Sequence, residues 1–149
     1  MRARPHHLID IITQHGAGQP FEPSAYGHAV HTVAAEVLAD PDVLVEFGTG
    51  ADDICRPCVH LANGRCDDLV RAFDPPVSKH DYNDALDRRL MAFLGMVEGQ
   101  VMSFRDYVAL LRSHIEGLSE LCAWPGEPPA ERRRKLEAGL LSLQCKTQR

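Results

Sequence analysis

Cys55, Cys58 and Cys66 are the residues whose types and spacing point most directly to chemistry. Two cysteines three apart on an irregular segment aim both thiolates at one ion or cluster. Pro57, Asn63 and Gly64 let the chain fold back and deliver the third. Thiolate donors select zinc, copper(I) or iron–sulfur clusters. The chain has no second Cys-x-x-Cys, so a fourth ligand has to come from elsewhere. Other uses of such a pair fit less well. A thioredoxin-like redox pair needs a βαβ setting that the flanking sequence lacks. Haem attachment needs His directly after the second Cys, and here Val59 precedes His60. Plain burial of free cysteines is common, but three within twelve residues argue against it.

The second group with chemical potential is Arg4-Pro5-His6-His7-Leu8, followed by Asp10. Adjacent histidines on a helix point about 100° apart and rarely bind one ion together. His7 and Asp10 are spaced i, i+3 and share a helix face. Spacing alone favours a helix-start histidine that hydrogen-bonds the backbone. The sharper role is a metal ligand, a proton donor or the partner behind a ligand, which makes His7 and Asp10 the candidates for any catalytic role.

These groups need elements to position them. Pro5 suits the first turn of a helix running to about His15, with Leu8, Ile11 and Ile12 on one face. Ser24 is placed to cap a second helix carrying Tyr26, Val30, Val33, Val37 and Leu38. Val43–Phe47 reads as a short strand, the one convincing strand signal, with Met1–Arg4 as its candidate partner. The loop from Gly48 to Asp53 then carries the chain to Cys55. Asp67–Phe73 reads as one or two helical turns stopped by Pro75-Pro76. Further helices are predicted over Asp81–Gly95, from Ser103 through Ile115, as a turn over Ser119–Trp124, and over Ala130–Leu143. The fold class expected is α+β: a mainly helical single domain with one small sheet and a cysteine-rich metal-binding loop. Its metal-binding part spans residues 1–124, and residues 125–149 form a linker and a C-terminal amphipathic helix packed on it or extending it.

Bulk properties narrow the function classes. A chain of 149 residues buries a core without metal or disulfides, so a metal site points to function more than to structural rescue. The net charge is −5, with no overall basic face, and phosphate-backbone binding to nucleic acid is disfavoured. Residues 1–75, which hold the cysteine motif, carry 11 acidic against 5 basic side chains. No apolar run approaches the roughly 18 residues of a membrane span, and no export signal is visible. A cytoplasmic, reducing location is therefore expected, and the cysteines are not read as disulfides. Met91, Met96 and Met102 read as core filler, Arg132–Lys135 as a solvated helix face, and Cys145 as a free surface thiol.

Taken together, Arg-Pro-His-His-Leu at 4–8, Asp52-Asp53-Ile54-Cys55-x-x-Cys58-x-His60, Cys66 and Cys122-x-Trp124 resemble the bacterial and archaeal "domain of unknown function 1284" proteins over about Arg2 to Trp124. Members of that family are provisionally described as iron–sulfur binding. The resemblance implies that Cys55, Cys58 and Cys66 are cluster ligands, with Cys122 as the fourth. It supplies no reaction. Two departures bear on the site: relatives often carry Cys where this chain has Asp10, and Cys-x-x-Cys-x-Trp where it has Ser119-x-x-Cys122-x-Trp124. Asp10 then becomes a second candidate for the fourth position, as an oxygen ligand that would hold iron less firmly than thiolate.

The expected cofactor is an iron–sulfur cluster, 4Fe–4S favoured, serving redox and electron transfer or Lewis-acid chemistry at an open iron. The competing expectation is a structural zinc site in a protein-interaction domain. A redox partner protein or a small-molecule substrate is the expected partner. Whether the protein is an enzyme, and its oligomeric state, stay open at this level.

Overall fold

The computed structural model describes residues 1–147. In chain order the elements are β1 (Arg2–Ala3), α1 (Pro5–Gly16), α2 (Val30–Ala39), β2 (Leu44–Phe47), β3 (Leu61–Ala62), β4 (Arg65–Cys66), β5 (Leu69–Val70), β6 (Val77–Ser78), α3 (Lys79–Leu94), β7 (Val101–Ser103), α4 (Phe104–Ser113), α5 (Leu118–Cys122) and α6 (Pro129–Thr147). This is the α+β fold expected, helix-dominated with small sheets.

Several boundaries follow directly from local chemistry. Pro5 opens α1, where its missing N–H costs nothing. Ser78 caps α3 by accepting the Asp81 N–H, and Gly95 ends it in the left-handed region with φ 70°. Ser103 caps α4 through the Asp106 N–H. The Met1–Arg4 segment pairs with β2 as expected: β1 runs parallel to it with Arg2 opposite Glu46.

Four expectations change. A third strand, β7, pairs antiparallel with the other side of β2, Val45 opposite Met102; three residues are too few to show an alternating pattern. The Asp67–Phe73 segment is not helical. Leu69 and Val70 form β5 and pair with Ser78 and Val77 across the Pro75-Pro76 turn. The second helix starts at Val30 rather than near Ser24, because Ser24 Oγ accepts the Tyr26 N–H at 3.0 Å in a tight turn and Gly27 follows with φ 74°. The fourth helix ends at Ser113, so Ile115 lies beyond it. The side chain of Cys145 lies outside the described residues.

The core sits between the three-stranded sheet and the helices. Leu8, Ile9, Ile12, Phe47, Leu90, Phe104, Tyr107, Leu111 and Leu136 are fully buried in it. α6 packs along α1 with Leu136, Leu140 and Leu143 inward. The two helices touch backbone to backbone: a Cβ at Gly139 would run into the Ile12 carbonyl, and one at Gly16 into the Lys135 carbonyl. Within the described residues, no helix is long and apolar enough to cross a membrane.

That close approach sets a test. Alanine is favoured over glycine in a helix by about 1 kcal/mol, yet Gly139→Ala is expected to lower stability by about 1–3 kcal/mol because the collision overrides propensity. Urea unfolding of the two proteins checks it; an equal or higher midpoint for the variant would contradict the helix contact.

Candidate metal centre

The cysteine loop is irregular, so something outside it must hold it in place. Asp52 does most of this. Its carboxylate is 3% exposed and accepts three bonds. Oδ2 takes the Arg4 N–H at 2.7 Å and the His7 ring at 2.7 Å through Nδ1, while Oδ1 takes the Cys55 N–H at 3.1 Å. Burial alone would raise the Asp52 pKa, but His7 and the two backbone donors outweigh it and hold the group well below the usual carboxylate range. Burial likewise opposes a charge on His7, and Asp52 overcomes it, so the His7 pKa is raised. Asp53 adds a second tie: it accepts the Arg2 N–H at 2.9 Å, and its own N–H bonds the Arg2 carbonyl at 3.1 Å.

The start of α1 is fixed in turn against α3. Arg4 is 2% exposed, and its Nη1 lies 2.9 Å from Asp87 Oδ2 and 2.8 Å from Asp84 Oδ1. His6 bonds Asp87 twice, by its backbone N–H at 2.9 Å and by Nδ1 at 2.8 Å. The Tyr107 hydroxyl donates to the Pro5 carbonyl at 2.9 Å. Asp84 also accepts the Gly50 N–H at 2.9 Å, which anchors the loop ahead of Asp52. Every polar side chain of Arg4-Pro5-His6-His7 thus meets a carboxylate, where spacing alone favoured a backbone partner for the histidines.

The three cysteines of the loop line one cavity of about 260 Å³, together with His7, Asp10, His80, Lys79 and Trp124. All three are free thiols, partly buried. Cys55 and Cys58 are joined across a turn by a 2.9 Å bond from the Cys58 N–H to the Cys55 carbonyl. Cys66 returns on the β3–β4 hairpin, whose turn residues Asn63 and Gly64 both have positive φ, 52° and 76°. The Cys66 N–H points to His80 Nδ1 at 3.3 Å. Two thiolates on one tetrahedral zinc stand about 3.8 Å apart, given bonds of about 2.3 Å. Among the described residues the one trio of His, Cys, Asp or Glu ligand atoms within 4.8 Å of one another is His7, Asp52 and Cys55. The three sulfurs are therefore not all within 4.8 Å of one another.

The remaining candidates stand differently. Asp10 lines the cavity, but its carboxylate accepts from Arg132 Nη2. Cys122 is 4% exposed and is not among the cavity residues. Burial raises its thiol pKa while Arg132 works against that shift. Arg132 is itself 6% exposed, so the Arg132–Lys135 run is only in part the solvated face expected from sequence. Its neighbours Arg133 and Arg134 do pair at the surface, with Glu116 and Glu131. Asp52, Asp84 and Asp87 were not singled out as site residues from sequence. The i, i+4 step from His80 to Asp84 and the i, i+3 step on to Asp87 put all three on one face of α3, which is the signal that was available.

Cys55 is a poor nucleophile in the metal-free state. Burial, then the charge of Asp52, pushes the Cys55 thiol up to about 12. Metal-free protein should therefore alkylate at Cys55 about two to three orders of magnitude more slowly at pH 8.5 than a free cysteine peptide, with a rate that climbs about tenfold per pH unit. Peptide-resolved mass spectrometry of iodoacetamide-treated protein measures this; labelling of Cys55 at the free-peptide rate would contradict it.

The comparisons with known proteins cover only part of this geometry, since the family match begins after Arg4, His6, His7 and Asp10. No curated protein and no solved structure matches the chain. A family model described as protein of unknown function (DUF1284) matches residues 24–124. The matched span takes in Asp52, Cys55, Cys58, Cys66, Asp87 and Cys122 and ends on Trp124, with α1 before it and α6 after it. With two thirds of its length matched by that model, the chain belongs to the DUF1284 family.

Proposed function

We propose that this protein is a small iron–sulfur protein whose cluster is held by Cys55, Cys58 and Cys66 in the cavity between the cysteine loop, α1 and α3. The observation that carries the reading is the convergence of three free thiols on one cavity. The donor set is soft, as iron–sulfur clusters need. Ile54, Leu61 and Val30 give the cavity an apolar lining. A protonated Cys55 fits a ligand whose proton is released to solvent when a metal centre binds. Bound there, a cluster supplies one-electron redox chemistry, or Lewis acidity where an iron is left open.

The chain's own residues shape what reaches the centre. Lys79 sits 3.3 Å from Asp68 and 5.8 Å from the centre of the Trp124 ring. Tyr26 stacks edge-on against His60, with ring centres 4.6 Å apart. Both aromatics line the cavity and are also partly exposed, at 40% for Trp124 and 45% for Tyr26. They form a rim on which a small-molecule substrate or a redox partner protein docks. A reducing, cytoplasmic setting keeps the thiols available for the cluster.

The test is anaerobic purification without added metal, followed by iron, acid-labile sulfide and zinc analysis beside an absorption spectrum, for the native protein and Cys58→Ser. Circular dichroism confirms that the variant is folded. Brown protein with iron and sulfide in similar amounts, lost in Cys58→Ser, is the expected result. Colourless protein with about one zinc per chain, or failure to take up iron and sulfide on reconstitution, would overturn the proposal.

A further inference from the structure

We infer that the fourth protein ligand of this cluster is His7, bound through Nε2, in place of the Cys122 or Asp10 that the sequence offers. The inference rests on the iron–sulfur reading above and deepens it. Three observations support it.

First, position. His7 lines the cavity with Cys55, Cys58 and Cys66. Among the described residues it is the histidine that comes within 4.8 Å of a cysteine sulfur as part of a ligand trio. Second, the ring already has the carboxylate partner that a ligating histidine has. Nδ1 is spent on Asp52 Oδ2 at 2.7 Å, so Nε2 is the nitrogen left for a metal, which would displace any proton there. Metal-bound histidines regularly give their other nitrogen to a carboxylate, which fixes the tautomer and the ring plane. Asp52 itself is a poor ligand, because its oxygens already serve Arg4, His7 and Cys55.

Third, several competitors are committed elsewhere, and His28, which lines the cavity with an unpartnered Nδ1, belongs to no ligand trio among the described residues. The Asp10 carboxylate is held by the Arg132 guanidinium, and Cys122 is buried outside the cavity lining. His80 has Nδ1 on the Cys66 N–H at 3.3 Å and Nε2 at 3.3 Å from Asp84. His60 also has its Nδ1 on a carboxylate, Asp67 at 2.8 Å, but among the described residues it is not part of a ligand trio with a cysteine. A histidine in a cluster otherwise held by thiolates is one neutral ligand in place of an anionic one, which lowers the negative charge of the centre and raises its potential.

The experiment uses the full chain, labelled with ¹⁵N-histidine, reconstituted anaerobically, poised in its paramagnetic state and measured by pulsed electron paramagnetic resonance. Iron and sulfide are quantified on the same samples. The expected result is a coupling of a directly bound nitrogen that changes from ¹⁴N to ¹⁵N with the label. It should vanish in His7→Ala, persist in His60→Ala, and give way in His7→Cys to a cluster without nitrogen coupling. The labelled native protein needs no variant to fold, so the first readout stands alone. A loaded cluster with no histidine coupling, or a coupling that survives His7→Ala, would overturn the His7 assignment while leaving the iron–sulfur reading intact. Samples without iron and sulfide would instead overturn the iron–sulfur reading, and this inference with it.

Discussion

Three donors from two distant parts of the chain end on the carboxylate of Asp52. The Arg4 N–H and the His7 ring come from the start of α1, and the Cys55 N–H comes from the loop itself. A loop rich in turn residues, with a ladder of two residue pairs in the β3–β4 hairpin, has little regular structure to define its shape. A buried carboxylate with fixed, charge-assisted bonds supplies that definition instead. Removing it would leave two backbone donors and a histidine without partners in a poorly hydrated place, and each such group costs about 1–3 kcal/mol. The position of Cys55 relative to His7 is therefore a consequence of one side chain.

Behind Asp52 stands a second buried set, Arg4 with Asp84 and Asp87, and His6 with Asp87. Burying charges is costly, and such pairs add little net stability compared with apolar packing. Their use here is geometric. They hold α1 against α3, and α3 contributes Lys79, His80 and Asn83 to the cavity wall. The apolar work is done elsewhere, by the backbone contact of α1 with α6 at Gly16 and Gly139 and by the sheet side of the core. The molecule divides its labour: α6 and the sheet stabilise α1, while the ion network aims its first turn at the cysteines.

Much of this was legible in the sequence because it is local. Pro5, the Ser103 cap and the periodicity of α3 fixed their elements to within two residues at most boundaries. Cys55, Cys58 and Cys66 line one cavity because turn residues fold the loop back locally. What could not be read was tertiary. The β5–β6 pairing rests on two residues a side, which Leu69 and Val70 alone do not announce. Arg132 looked like one member of a basic surface run, and only the packing of α6 on α1 buries it against Asp10. For the same reason, spacing presented Asp10 and Cys122 as ligand candidates while giving no sign that Arg132 engages them. His7 was visible as a candidate, but its carboxylate partner lies 45 positions away.

The central claim is that Cys55, Cys58 and Cys66 surround a cluster rather than a lone ion. The most direct measurement is anomalous diffraction at the iron and zinc edges from crystals grown without oxygen. The account predicts iron-edge density inside the cavity between those three sulfurs, extended over more than one iron. A compact zinc-edge peak there, or iron located away from the three cysteines, would contradict it.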